Sequence, residues 1–282
     1  MTMAIKRSDV VRAARDHIRN ADGNSVPGAG SYFDEPIIGF ASSDDVIFDS
    51  YKEIIGRDHM TPKEAFEASL GDGTFHGGSV VSIALPIGEA IRASNRKQDK
   101  IPSREWALCR AYSDVIIPGL SRHMENFFRD AGYRAVAPSA SAWIKTFLTV
   151  TGPNSVWSER HVAYAAGLGT FSLNDGFITE KGMAVRFTSL VTDMMAEPDA
   201  KVAGPYNSHC LFCSKGTCGA CIKRCPVGAI SKNGHDRTKC MAFVYSDESK
   251  YLAASYGSSC KSAGCGLCQT KVPCEFSDPT KK

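Results

Sequence analysis

Residues 218–230 read CGACIKRCPVGAI, and this stretch carries the strongest structural signal in the chain. Cys218 and Cys221 are separated by two residues, a spacing at which two thiolates reach the same metal cluster from one tight turn. Cys225 follows and is succeeded by Pro226, which redirects the chain and directs that thiolate toward a different cluster. The stretch therefore predicts iron–sulfur ligation.

The same pattern ends the cysteine run of bacterial ferredoxins, in which one further cysteine stands three positions before the first one quoted. Lys215 occupies that position here. Either Cys213 or Cys210 must then supply the missing thiolate across a longer loop, and both assignments stay open at this point.

A second set of cysteines follows the motif. In two-cluster ferredoxins the last cysteine of each run binds the cluster of the other run. This exchange predicts two [4Fe–4S] clusters, one of them bound by Cys225, Cys240, Cys265 and Cys268. The other cluster would be bound by Cys218, Cys221, Cys274 and one of Cys210 and Cys213. Cys109 and Cys260 have no role in this scheme.

Zinc and disulfides are the competing interpretations of so many cysteines. Paired C-x2-C units also suit tetrahedral zinc, but the CPVGAI ending and the supply of more than four thiolates argue against one closed zinc site. A disulfide framework is typical of short secreted chains. The N-terminal stretch MTMAIKRSDVVRAARDHIRN is not a signal peptide, since charges interrupt any apolar core, so we expect a reducing, cytoplasmic location.

The overall composition is that of a globular protein. The chain has 282 residues, of which 43% are apolar and 22% charged, enough for one large domain and one small one. It contains no long uncharged apolar run, so we expect no membrane span. The net charge of +3 is too small to indicate a nucleic-acid partner.

The first 200 residues alternate between helical and strand patterns, which favours a layered α/β domain. Helices are predicted to start at the capping sequence Thr61-Pro62-Lys63-Glu64, to span Ser158–Ala166, and to run from Glu105 to Ala131, where Pro118 is the one position that could break the helix. Strands are predicted at Ser79–Pro86, Tyr133–Ala137 and Phe187–Thr192. Near residue 195 the composition becomes rich in Cys, Gly and Lys, so we predict domains at 1–200 and 201–282.

Several motifs of the first domain occur in a recognisable order: ERHVAYAAGLG at 159–169, NDG at 174–176, VTD at 191–193, and then the cysteine motif. Over roughly residues 75–275 the chain resembles epoxyqueuosine reductase, a family related to the reductive dehalogenases. The resemblance implies an α/β (α+β) fold, in which a nitroreductase-like domain holds cobalamin and precedes a small ferredoxin-like domain with two [4Fe–4S] clusters. It also favours Cys210 over Cys213 as a ligand, because the spacing of Cys210 matches these relatives.

The resemblance further implies which residues contact the cofactor. Glycines at 167 and 169 allow close backbone approach to a bulky ligand, although they equally suit a helix end and turn. Arg186 would bind a propionamide or phosphate of the cofactor, unless it forms a structural salt bridge. The aromatic ring at 157 lines the pocket or belongs to the core. The implied cofactor-binding residues are Gly167, Leu168, Gly169, Asn174, Arg186 and Trp157.

One departure from the family bears on the substrate. Epoxyqueuosine reductase is expected to use an acidic proton donor six residues before the glutamate that matches Glu159, and Pro153 occupies that position here. No Asp or Glu lies between Asp130 and Glu159. Tyr133, Tyr164 and Lys145 remain as catalytic candidates, for different chemistry or from a different angle. We therefore predict that the chain does not efficiently reduce epoxyqueuosine in tRNA.

The functional prediction is a cytoplasmic, cobalamin-dependent reductase. It would take electrons from a donor such as a ferredoxin or flavodoxin, pass them through two clusters to a corrinoid, and reduce a small-molecule substrate that the sequence does not identify. Two alternatives stay open. One is an electron-transfer or corrinoid-handling partner without an organic substrate of its own, and the other is a flavin-using variant of the same domain.

Overall fold

The structure is a computed structural model that describes residues 5–21, 23–26, 30–149 and 152–281. Its helices are α1 (Arg7–Asn20), α2 (Ile47–Ile54), α3 (Pro62–Leu70), α4 (Glu89–Arg96), α5 (Arg104–Asp130), α6 (Glu159–Ala165), α7 (Leu211–Lys215), α8 (Ala220–Arg224), α9 (Arg237–Val244) and α10 (Asp247–Ser255). Its strands are β1 (Ser25–Val26), β2 (Gly30–Ser31), β3 (Ile37–Ser42), β4 (Ser79–Pro86), β5 (Ala135–Val136), β6 (Thr146–Thr149), β7 (Gly152–Ser155), β8 (Gly169–Phe171), β9 (Phe177–Thr179), β10 (Val185–Thr192), β11 (Ile230–Ser231) and β12 (Gly234–His235). Short 3-10 helices lie at Pro138–Ala140, Leu267–Gln269 and Pro279–Lys281.

A four-stranded antiparallel sheet of order β3-β4-β10-β5 forms the centre of the molecule. Strands β4 and β10 pair along their whole length, from Ser79 opposite Thr192 to Pro86 opposite Val185. Every residue of β4 is buried, because helices cover both faces of the sheet. The predicted strand Ser79–Pro86 is confirmed at both ends.

Two hydrophobic cores lie on opposite faces of this sheet. Val81 and Ile83 of β4 face the core that includes α1, α4 and α5. Val80 of β4 and Val191 of β10 face the core that includes α2, α3 and α6. This alternation is the period of two expected of a strand whose two faces are both covered.

Helix α5 confirms the predicted helix and continues through Pro118 without a break. A proline inside a helix removes one backbone hydrogen bond and costs about 3 kcal/mol. The buried residues on either side of it, among them Cys109 and Ile116 before and Leu120 and Met124 after, pack into one core. Their burial offsets that cost, since each large apolar side chain contributes about 1.5–3 kcal/mol.

The other predicted elements are present with small shifts in their bounds. Thr61 caps α3 by accepting from the Glu64 backbone N–H, and the Glu64 carboxylate accepts from the Thr61 N–H. The strand predicted at Tyr133–Ala137 is the shorter β5, the helix predicted at Ser158–Ala166 is α6, and the strand predicted at Phe187–Thr192 is β10.

The cysteine-rich part of the chain consists of short elements anchored to the end of α4. Arg224 of α8 donates to the carbonyls of Leu267 and Thr270 and also to the carbonyl of Gln98. The division of the chain at residue 200 stays a prediction. No helix in the described ranges is long and apolar enough to cross a membrane.

Candidate iron–sulfur and cofactor site

Four cysteines line one small cavity. The cavity lies between α7, the start of α8, the loop at 272–274, and the Ser172 and Asn174 turn of the α/β body. Cysteines that are up to 64 positions apart in sequence thus face a common space. They are Cys210, Cys218, Cys221 and Cys274.

The structure distinguishes the two candidates for the fourth thiol of this group. Cys210 immediately precedes α7, is 8% exposed, and lines the cavity. Cys213 lies within α7, is exposed, and is not among the residues that line the cavity. The geometry therefore favours Cys210 as the ligand and leaves Cys213 at the rim.

The thiols of this group disfavour one another's ionisation. Burial, followed by the neighbouring Cys210, Cys221 and Cys218, raises the pKa of Cys274 to about 12. Burial and the neighbouring Cys210 and Cys218 likewise raise the pKa of Cys221 to about 11. Four clustered thiolates require compensating positive charge, which the irons of a cluster supply.

The remaining cysteines of the motif form a second group. Burial, together with the nearby Cys240 and Cys225, raises the pKa of Cys265 to about 11, against a hydrogen bond from the Leu267 backbone. Burial and the neighbouring Cys265 and Cys240 raise the pKa of Cys268. The structure thus brings Cys225, Cys240, Cys265 and Cys268 together, as the ferredoxin pattern expects.

The donor chemistry of both groups fits a four-iron cluster. A [4Fe–4S] cluster takes four cysteine thiolates, one on each iron, so its ligands surround a volume rather than a single point. Across the ranges that the structure describes, no three His, Cys, Asp or Glu side chains converge closely enough to hold one metal ion. The fit to a cluster is better supported for the first group, because Cys210, Cys218, Cys221 and Cys274 all line one cavity.

The irregular position Cys274 is held to the α/β body by its neighbour Glu275, which sequence reasoning missed. The backbone N–H groups of Met183 and Ala184 donate to the carbonyls of Cys274 and Glu275 at 2.8 and 3.1 Å. The Glu275 carboxylate is 2% exposed and pairs with two arginines of α4, Arg92 and Arg96. A glutamate directly after a candidate ligand gives no sequence signal, because both of its partners lie about 180 positions away.

Close packing accounts for the glycines predicted to contact the cofactor. Gly167 ends α6 with a φ of +70°, and a Cβ there would lie 2.4 Å from the Ala200 carbonyl oxygen. A Cβ on Gly169 would lie 2.0 Å from the Ile178 carbonyl oxygen. Leu168 packs over Gly39 of β3. The helix end and close packing therefore explain both glycines of the GLG motif without a ligand. A contact of this motif with the cofactor stays a prediction.

Trp157 and Asn174 occupy different environments from each other. Trp157 is buried in the core facing α2, α3 and α6, where its indole N–H donates to Ser189 Oγ at 2.9 Å. Asn174 lines the cysteine cavity, and its Nδ2 donates to the Cys268 carbonyl at 3.1 Å. Trp157 thus belongs to the core, the alternative that the sequence left open, and Asn174 lies beside the candidate cluster ligands.

Two arginines lie near each other, and one of them, Arg160, also lies near Cys268 of the second cysteine group. Arg160 is exposed to solvent, yet burial among protein atoms lowers its pKa, with Asp175 and Cys268 opposing that shift. Arg186 is partly exposed, and burial also lowers its pKa, with Cys109 opposing and Arg110 and Arg160 reinforcing that shift. Guanidinium groups suit the phosphate and amide substituents of a ligand such as a corrinoid.

The three catalytic candidates lie on separate elements. Tyr133 packs against the core facing α1 and α5, Tyr164 of α6 lies 6.1 Å from the Phe171 ring, and Lys145 is exposed before β6. Pro153 lies in β7 opposite Leu148, and its carbonyl accepts from Arg237 of α9. The position of the expected acid is therefore a hairpin in contact with the cysteine-rich part.

Glu159 is a buried acid, which the sequence analysis used only to locate the expected proton donor six residues earlier. Both of its carboxylate oxygens are buried without a well-formed hydrogen bond among the described residues. Burial raises the pKa of Glu159 to about 7, and the hydroxyls of Ser189 and Ser139 oppose that shift. The carboxyl group therefore carries a proton over much of the range below neutral pH.

Replacing Glu159 with glutamine should stabilise the protein selectively at high pH. The folded-state pKa lies above the value of an unfolded glutamate, so the native state loses stability between about pH 4.5 and 7 as the buried group must ionise. The E159Q variant lacks this cost, and we expect its advantage over the native chain to grow by about 3 kcal/mol at most between pH 5 and pH 8.

Thermal unfolding of both proteins across this pH range checks that expectation. An E180Q variant at an exposed position is the matched control and should show no pH-dependent difference. An E159Q advantage of equal size at pH 5 and pH 8 would show that the carboxyl group is not the cause.

Comparison with known proteins places these features in a family context. No family model matches the chain. It is 32% identical over 120 residues to an epoxyqueuosine reductase of Bacillus anthracis, covering 41% of this chain and 29% of the relative. It is 27% identical over 123 residues to an epoxyqueuosine reductase of Leadbetterella byssophila, covering 43% of this chain and 36% of the relative. Both matches thus span about a third of the curated relatives' length.

Solved structures extend the likeness to most of the chain. The epoxyqueuosine reductase of Bacillus subtilis has a TM-score of 0.51 at 20% identity, covering 95% of this chain and 65% of that one. A catabolic reductive dehalogenase has a TM-score of 0.52 at 17% identity, covering 90% of this chain and 31% of that one. These proteins share the fold of this chain.

This chain combines an α/β body with two groups of cysteines, and its fold is similar to the folds of an epoxyqueuosine reductase and a reductive dehalogenase. Together with the sequence matches to epoxyqueuosine reductases, this confirms that the chain is epoxyqueuosine reductase-like and reductive dehalogenase-like, the resemblance drawn from the sequence motifs.

Proposed function

We propose that the chain is a cobalamin-dependent oxidoreductase that passes electrons from two [4Fe–4S] clusters through a corrinoid to a small-molecule substrate. The observation that carries this proposal is the cavity bounded by four cysteine thiols beside a second group of four. Bound cobalamin would supply a cobalt centre that accepts electrons and reacts with the substrate.

Different residues of this chain would bind the clusters, bind the corrinoid and transfer protons. The cysteines hold the clusters, with the cavity group formed by Cys210, Cys218, Cys221 and Cys274. Arg160 and Arg186, which lie near each other, would bind the polar edge of the corrinoid through charge-assisted hydrogen bonds. Tyr133, Tyr164 and Lys145 remain the candidates for proton transfer. A ferredoxin or flavodoxin would be the electron donor, and the protein would act in the cytoplasm.

Corrinoid retention tests the proposal. The protein, purified anaerobically with its clusters, is incubated with hydroxocobalamin and passed through gel filtration. We expect the eluted protein to carry one corrinoid per chain with a base-off visible spectrum. The family that the sequence resembles holds cobalamin without a lower histidine. An R186Q variant should bind roughly ten- to a hundred-fold more weakly, the loss expected for one charged hydrogen bond.

An R129Q variant, which changes an exposed arginine of α5, is the matched control and should retain the corrinoid as the native chain does. Protein that keeps its clusters but elutes without corrinoid would contradict the proposal. A flavin spectrum in the purified protein would replace cobalamin with the flavin alternative.

A further inference from the structure

The cysteine-rich part of the chain carries an excess of positive charge. Between residues 211 and 240 the sequence contains six Lys or Arg residues and one acid, Asp236. The two arginines of this stretch, Arg224 and Arg237, donate to backbone carbonyls. Three of its lysines are exposed to solvent on neighbouring elements, and they are called the lysine surface here: Lys223, Lys232 and Lys239.

The ammonium groups of the lysine surface have no ion-pair partner within the ranges that the structure describes. The lysines that do form ion pairs there are Lys52, Lys201 and Lys250, with nitrogen-to-oxygen distances of 2.6–2.8 Å. Asp236, the one acid of the stretch, instead caps α9 by accepting from the Lys239 backbone N–H. Positive charge that no carboxylate neutralises acts on an approaching molecule over about 8 Å at physiological ionic strength.

The three lysines surround the turn that directly follows Cys225. Lys223 lies in α8, which packs against β11, and Lys232 comes directly after β11. A Cβ on Gly228 would lie 3.8 Å from Lys239 Nζ, so the third ammonium group lies beside the turn itself. The positive charge is therefore centred on the segment that leads away from a candidate cluster ligand.

This turn connects the solvent to the sulfur of that ligand. Pro226 and Gly228 are exposed. The next residue, Ala229, is buried, and its backbone N–H donates to Cys225 Sγ at 3.1 Å. Because electron transfer slows steeply with distance, a donor seated on this turn has a short path to the second cysteine group.

Lysines also attract nucleic acid, but this surface lacks the other part of such a site. Proteins that bind single strands stack the bases on aromatic side chains. The only Phe, Tyr or Trp between residues 211 and 240 is Phe212, which packs against a small core that includes Met183 and Cys210. An acidic protein, by contrast, needs only the charges and the exposed turn between them.

We propose that Lys223, Lys232 and Lys239 form the docking surface for a small acidic electron-donor protein, which delivers electrons to the cluster bound through Cys225. This inference rests on the proposed function, since it takes the second cysteine group as a cluster site. Opposite charges steer the two proteins together and orient the donor over the turn. The reduced donor gives up one electron and the cluster accepts it, so no bond or proton is exchanged.

The test is the rate at which an acidic flavodoxin, reduced beforehand, reduces the reconstituted full chain under anaerobic stopped-flow mixing. We expect the double variant K223E/K232E to lower the second-order rate constant at low ionic strength by about ten-fold or more. The native rate constant should fall as salt is added, and that of the double variant should change little, because salt screens an attraction that the variant lacks. Binding of oxidised flavodoxin, measured by calorimetry, should weaken in the same variant without any electron transfer.

Two controls separate docking from cluster damage. K63E makes the same charge change at an exposed lysine of α3 and should keep the native rate constant. Dithionite is a small reductant that needs no docking surface, and it should reduce the clusters of the native chain and of every variant equally. If the double variant loses iron, K232E alone decides, because Lys232 lies seven positions after Cys225.

A rate constant in K223E/K232E, or in K232E where that variant decides, equal to that of K63E would overturn the inference. Weaker binding of transfer RNA with an unchanged rate constant would overturn it equally, and would make the lysines a nucleic-acid surface. Native protein that lacks clusters reducible by dithionite would refute the proposed function instead, so the two failures are distinguishable before any variant is compared.

Discussion

Replacing Cys210 with alanine should lower the iron content of the anaerobically purified chain from about eight atoms to about four, whereas replacing Cys213 should leave it near eight. Cys210 lines the cavity with three other thiols, and Cys213 lies exposed at its rim. A four-iron cluster that loses one of its thiolates is expected to be lost or strongly destabilised, while the second group of cysteines keeps its own cluster.

Iron and sulfide analysis after reconstitution measures this difference, and a C260A variant controls for the loss of a cysteine thiol outside both groups. Cys260 is hydrogen-bonded to Asp114 and has no part in either group. The reverse result, with C213A losing iron and C210A keeping it, would show that the exposed thiol is the ligand.

The native chain should convert epoxyqueuosine in tRNA poorly, and a P153D variant should convert it faster. General acid catalysis typically contributes about 10²–10⁴-fold, and proline has no proton to donate at the position implied by the resemblance. Glu159 is the nearest acid in sequence, but its carboxylate oxygens are shielded from solvent. It therefore cannot reach a bound substrate without rearrangement.

The assay supplies reduced protein, cobalamin and epoxyqueuosine-containing tRNA, and measures queuosine. L148D, on the strand that pairs with Pro153, is the matched control, because it adds an acid at an exposed neighbouring position. Robust turnover by the native chain would show that another group performs the proton transfer.

Much of the candidate site was predictable from the sequence because cluster ligation depends on local spacing. The C-x2-C unit and the Cys-Pro pair are fixed by short-range geometry, so both cysteine groups were expected before the fold was known. Strand β4 was also predictable, because an apolar run of this length that ends at a proline is typical of a buried strand.

The rest depends on contacts between distant parts of the chain. His235 meets Asp175 across 60 positions, and Glu275 meets Arg92 across 183. Whether α5 breaks at Pro118 was left open by the sequence, because local propensity does not register the packing of the buried residues before and after the proline. Glycines 167 and 169 suggested a ligand, and the structure shows backbone carbonyls where their Cβ atoms would lie.

The most direct test of the central claim is the metal content of the native chain. After anaerobic purification and full reconstitution, we expect about eight iron and eight acid-labile sulfide per chain, the sum of two four-iron clusters. A reproducible value near four would leave only one of the two cysteine groups as a cluster site. Zinc with no sulfide would contradict the account as a whole.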